Sequence, residues 1–189
     1  MTERTNEQRR GIGGIDPRAA TWLAWSLWAL SVALMALSLL LLALIRSHPG
    51  THIFDWWPGN TLVVIDATVG AIVASRRPEN LVGWFLCLSG LAVSTSTFTS
   101  QYAIYALLAE PNSLPAGEAI AWIAAWMLPI MIGLQVAYLM LFPTGQLPSR
   151  RWRWLAWLTA AYVLVGVITA AFSPGGIWVL LARYATHSV

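Results

Sequence analysis

The sequence predicts an all-α membrane protein: a bundle of five transmembrane helices with its N-terminus in the cytoplasm. Three observations predict it. First, 58% of the 189 residues are hydrophobic and only 10% are charged, whereas a soluble domain carries about a quarter charged residues. So few charges cannot cover a globular surface, and lipid must be part of the solvent. Second, the apolar residues gather into five long runs parted by short polar loops. Third, the arginines collect in alternate loops, as the retention of positive charge on the cytoplasmic side requires.

Residues 1–18 are polar, mixed in charge and punctuated by Gly11, Gly13, Gly14 and Pro17. They read as a mobile cytoplasmic tail. The run that follows is too long for the core of a signal peptide. Ala20–Ile45 is the first span, longer than the roughly 20 apolar residues a crossing needs. Trp22, Trp25 and Trp28 cluster at its start, as an interfacial aromatic belt does; a ligand platform is the other reading of that spacing. Arg46–Asn60 is a loop with Pro49-Gly50 and Pro58-Gly59 turn signals. His48, His52 and Asp55 are spaced like helix-borne metal ligands, but the Pro-Gly pair between the histidines argues against a helix. No metal or other cofactor is expected.

Thr61–Ala74 is the second span, short unless Trp56 and Trp57 extend it. Asp66 lies well inside it. An ionisable group at that depth costs several kcal/mol (about 2.5–3.5 on insertion scales) unless paired or wetted. Two readings stand side by side: an ion or ligand site, or a protonated carboxyl making one interhelical hydrogen bond. Asp66, Gly70 and Ala74 share a face small enough for close helix approach. The run stops at Arg76-Arg77-Pro78, and Asn80 is placed to cap the next helix.

Leu81–Leu108 is the third span. Cys87, Gly90, Ser94, Thr97 and Gln101 fall on one helical stripe. A small, polar stripe in lipid faces protein or water, so it reads as helix packing or as a hydrophilic pathway. Cys87 is the only cysteine, which excludes an internal disulfide. Ala109–Glu118 is a turn-rich loop. Ala119–Phe142 is the fourth span, where Pro129 and Gly133 suggest a kink; Gln135 and Tyr138 lie beyond them. Pro143–Arg153 carries Arg150, Arg151 and Arg153. Trp154–Phe172 is the fifth span, within a membrane domain covering 19–173. Residues 174–189 form a short extracytoplasmic segment with an apolar stretch too short to cross.

Alternating sides from a cytoplasmic tail puts Arg4, Arg9, Arg10 and Arg18 inside, together with the pair Arg76 and Arg77 and the triplet Arg150, Arg151 and Arg153. Only Arg46 and Arg183 fall outside. These arginines act as topology determinants; they form no basic block of the kind that tracks phosphates, so nucleic acid is not expected as a partner.

Two of the inside loops carry a family resemblance. GAIVASRRPENLVGWFLCLSGL (Gly70–Leu91) and LMLFPTGQLPSRRWR (Leu139–Arg153) resemble hairpins in the N-terminal transmembrane sensory region of bacterial sensor histidine kinases of the actinobacterial and chloroflexus type. The intervening YAIYALLAEPNSLPAGEAIAWIAAWMLP fits as well, so the similarity runs from Thr61 to Trp157. Leu81 stands where the family often has proline, Thr144 and Gln146 where it often has charged residues, and Asp66 where it has an apolar one. The resemblance implies a sensory membrane region in a bacterial plasma membrane. A kinase domain is not expected within these residues. His48, His52 and His187 all fall on the extracytoplasmic side in this topology, and no glycine-rich nucleotide loop is present.

Two functions follow. One is signal sensing or partner interaction without catalysis, with the lipid bilayer, a histidine kinase or another signalling membrane protein, and further copies of the chain as partners. The other is a small oligomeric transporter or channel; Asp66, Ser94, Thr97, Gln101 and Gln135 are the candidate ligand-binding or pathway residues. Intramembrane hydrolysis is disfavoured: Asp66 is the sole intramembrane carboxylate and there is no lysine.

Overall fold

The computed structural model describes residues 16–45, 59–110, 113–142 and 149–172. Among them all the regular secondary structure is helical. Helix α1 is Pro17–Ile45, α2 is Gly59–Arg76, α3 is Leu81–Ile104, α4 is Gly117–Leu141 and α5 is Trp152–Phe172. Four of the five, α1, α3, α4 and α5, are long and apolar enough to cross a membrane. Helix α2, whose 18 residues include Asp66 and Arg76, is not among them.

The boundaries follow local chemistry that hydropathy does not register. Helix α1 begins three residues before the apolar run. The Asp16 side chain accepts from the Arg18 N–H at 3.1 Å, and Pro17 occupies the first helical position, where its missing N–H costs nothing. Arg18 therefore belongs to the helix and not to a mobile tail. Asn80 caps α3 as its sequence position predicts, accepting from the Val82 N–H at 3.0 Å. The Arg76-Arg77-Pro78 hairpin is tied down by the Trp84 indole, which donates to the Pro78 carbonyl at 2.9 Å.

Beyond Ile104 the third helix widens into a π-helical turn, Tyr105–Ala109, a feature the sequence does not announce. The chain then turns back, with the Tyr102 hydroxyl donating to the Pro115 carbonyl at 2.9 Å. Ala116, just before α4, has φ 59° and ψ 26°. That left-handed geometry penalises a Cβ, so Ala116→Gly is expected to stabilise the protein by about 1 kcal/mol. Thermal unfolding in detergent would read this as a raised midpoint; a lowered one would refute it. Helix α4 runs unbroken through Pro129. Pro129 deprives the Ala125 carbonyl of its usual helical donor.

Helix α3 is the centre of the bundle, packing against α1, α2 and α4. Met35, Val63, Ala92, Val93 and Met131 bring all four helices into one core cluster. Ala24, Ala71, Ala74 and Cys87 form a second cluster under Trp28 and Trp84. Helix α5 stands apart: it packs chiefly on α4, and none of its residues is buried.

Small residues set the closest approaches. A Cβ on Gly70 would lie 2.5 Å from the Cys87 backbone nitrogen, and one on Gly83 would lie 2.6 Å from that of Ala74. Gly90 meets Ala67 in the same way. The contacts move up one helix as they move down the other, so α2 and α3 are antiparallel and nearly touch backbone to backbone. Gly133 against Val163 and Gly166 against Pro129 do the same for α4 and α5, but through side chains.

Candidate functional site

Helix register gathers the described arginines. Ala24 shares a cluster with Ala71 and Ala74, and Met35 shares one with Val63, so the start of α1 lies beside the end of α2. Phe85 of α3 lines a groove with Met140 of α4 and Ala156 of α5. That puts the α2–α3 hairpin and the α4–α5 connection at the same end. Arg18, Arg76, Arg77, Arg150, Arg151 and Arg153 therefore all stand at one end of the bundle, accompanied by Asp16 and Glu79. Glu110 and Glu118 stand at the other. The remaining arginines lie outside the described residues.

Asp66 sits between these ends, half-buried on α2. The Ser89 hydroxyl of α3 donates to Asp66 Oδ2 at 3.2 Å. Ser89 itself is fully buried. It lies off the stripe that draws attention in the sequence, and no sequence signal distinguishes it from its neighbours. Tyr138 of α4 lies within electrostatic range of the same carboxylate. Met131 packs beside Ala92 and Val93, so Gln135, one turn on, reaches the depth of Ser89 and Asp66. Asp66, Ser89, Gln135 and Tyr138 thus mark one level of the bundle.

The rest of the expected polar set lies elsewhere. Ser94 donates to its own helix, to the carbonyls of Gly90 at 2.8 Å and Leu91 at 3.0 Å. Thr97 donates to the Val93 carbonyl at 2.9 Å. Both hydroxyl protons are therefore committed to their own helix, while the oxygens keep their acceptor lone pairs. Gln101 is twelve residues beyond Ser89, about 18 Å along the axis, and its buried Oε1 has no hydrogen-bond partner. The Trp126 indole nitrogen is buried and unpartnered as well. The stripe is thus spread along the helix and is not gathered at Asp66.

The aromatic residues at the start of α1 divide. Trp22 is 77% exposed and Trp25 is 41% exposed, as belt residues are. Trp28 turns inward, packs edge-on against Trp25 and donates its indole N–H to Thr68 Oγ1 of α2 at 3.0 Å. The trio is therefore not a uniform belt. Among the described residues no group of three His, Cys, Asp or Glu side chains is placed to hold a metal ion; His48, His52 and Asp55 lie outside them.

No family model, curated protein or solved structure matches the chain. What the described residues define is an all-helical fold, with four helices among them long and apolar enough to span a membrane.

Proposed function

We propose that the chain is a multi-pass module of a bacterial plasma membrane that senses a signal or engages a membrane partner, with no catalysis of its own. The observation that carries this reading is α5, a helix of 21 residues with none buried. Its outer face presents Trp154, Leu158, Val165 and Phe172, all more than half exposed. Lipid solvates such a face as well as protein does, so packing and hydrogen bonding decide whether another helix joins it. A helix held on one side only is the element best able to shift when a partner binds. The partner is a histidine kinase or another signalling membrane protein, with self-association as the other route. The pathway reading has less behind it, because the polar residues it would use are spread along α3, with Gln101 about 18 Å from the level of Ser89 and Asp66.

In this reading all five helices cross, and the arginine end faces the cytoplasm. Helix α2 packs on α1 and α3, which lets it be shorter and more polar than a span held by lipid alone. Maleimide labelling tests the orientation. In a Cys87→Ala background, Ser113→Cys is expected to label in intact cells and Glu79→Cys only after permeabilisation. The reverse pattern would invert the topology.

A photo-crosslinking amino acid at position 158 tests the partner. The expected product is an adduct with a signalling protein of the same membrane. Recovery of the chain with no such adduct, and no signalling protein co-purifying, would sink the reading.

A further inference from the structure

The groove between α4 and α5 has features that the proposed partner face does not use. It has a volume of about 670 Å³ and an almost wholly apolar lining. Gly133 and Ala137 of α4, with Ala156 and Ala160 of α5, form much of its wall, and their small side chains leave the space. Thr159 also lines it, but its hydroxyl already donates to the Leu155 carbonyl at 2.9 Å. The groove therefore offers no free donor to a polar ligand there.

Its length and its position select the occupant. The lining runs from Leu141 to Ile130 on α4 and from Ala156 to Val167 on α5. Eleven residues rise about 16 Å along a helix, roughly half of a 30 Å hydrocarbon core. The groove is one leaflet deep. On α5 the positions Arg153, Ala156, Ala160, Val163 and Val167 follow one another at three- and four-residue steps. They form one stripe of the helix, with the guanidinium at its polar end. Side chains lean toward the helix N-terminus, so Arg153 reaches away from the groove mouth toward the headgroup layer. Arg150 and Arg151 are exposed beside it.

We propose that this groove binds one acyl chain of an anionic phospholipid, whose headgroup phosphate is held by Arg153 with Arg150 and Arg151. A planar guanidinium suits a phosphate oxygen pair, and the apolar wall suits the chain. The site lies on the α4-facing side of α5, opposite the face offered to a protein partner. It rests on the membrane reading alone and not on signalling.

Native mass spectrometry of the detergent-purified full chain tests it, using dioleoyl phosphatidylglycerol against dioleoyl phosphatidylcholine. The anionic lipid is expected to be retained preferentially. Arg153→Gln is expected to weaken its binding about fivefold, and the triple Arg150→Gln, Arg151→Gln, Arg153→Gln variant to bring it to the level of phosphatidylcholine. Arg76→Gln with Arg77→Gln removes charge at the same end of the bundle and is expected to leave retention unchanged. Ala160→Phe fills the groove and is expected to lower retention at least tenfold; Ala156→Leu is the milder filler should that variant fail to fold. Equal retention of the two lipids would overturn the proposal. So would an effect of the Arg76/Arg77 pair as large as that of the triplet, or filled grooves that still bind. A dimer that dissociates on Ala160→Phe would also overturn it, assigning the groove to a second copy of the chain. A chain recovered without detergent would instead overturn the membrane reading itself.

Discussion

Gly70→Leu is expected to leave no folded bundle. The position faces backbone: a Cβ there would stand 2.5 Å from the Cys87 nitrogen and 2.9 Å from the Leu86 carbonyl carbon. Side chains can rotate away from an intruding atom, but a helical backbone cannot without separating the helices. One added methyl in a tight core costs about 1–3 kcal/mol. Gly70→Ala should therefore lose about 2–3 kcal/mol of a total of about 5–15 kcal/mol. Leucine adds three more carbons at the same contact. Because α3 is also the helix on which α1 and α4 pack, prising α2 from it disturbs both core clusters. The measurement is fluorescence-detected size exclusion with thermal melting, beside Val69→Leu as a control on the 44% exposed neighbouring position, which should move stability by less than about 0.5 kcal/mol. A Gly70→Leu variant melting with the parent would mean that α2 and α3 are not seated as described.

The two glycine-lined interfaces are not equivalent, and the difference bears on mechanism. At Gly70, Gly83 and Gly90 the neighbours include backbone atoms of the facing helix. At Gly133 and Gly166 the neighbours are the side chains of Val163 and Pro129. The first interface is set by backbone against backbone, the second by side chain against backbone. In the sensing reading, α5 is the element expected to move, because it packs chiefly on α4 and has no buried residue.

Much of this was legible in the sequence, and the rest was hidden for a physical reason. Long apolar runs, the Asn80 cap and the small faces through Gly70 and Gly90 announce themselves, because length, capping and close packing each demand particular residue types. Which side of a span faces protein does not. In water a helix shows its core through contrast between apolar and polar faces; in lipid both faces are apolar, and the contrast vanishes. Nothing in the composition of Trp152–Phe172 reveals that α5 would be the one helix with no buried residue. Hydroxyl groups mislead for a related reason. Ser89 reaches across to Asp66 while Ser94 bonds back to its own carbonyls, and the two serines are indistinguishable without the neighbouring helix. Asp16-Pro17 was a readable start signal that hydropathy overrode.

The Asp66–Ser89 contact supplies the second large expected effect and separates the two functional readings. Ser89→Ala removes the donor that meets Oδ2 at 3.2 Å and leaves a carboxyl oxygen without it inside the bundle. An orphaned polar group of this kind costs about 1–3 kcal/mol. Asp66→Leu with Ser89→Ala removes both partners and should cost less than the two single changes together. Interhelical hydrogen bonds in membranes average about 0.6 kcal/mol of coupling and reach about 1.7 kcal/mol. A fully buried serine bonded to a carboxyl belongs near the upper figure. The cycle is read by reversible unfolding in mixed micelles. Asp66→Asn keeps an oxygen able to accept from Ser89, so it should preserve most of the stability. If Asp66 is structural, that variant also leaves cation and proton permeability of liposomes at the parent level. Coupling near zero, together with a flux abolished by Asp66→Asn, would show the carboxyl free of Ser89 and engaged by an ion. The bundle would then be a transporter built around α2, and α5 would lose its place as the moving part.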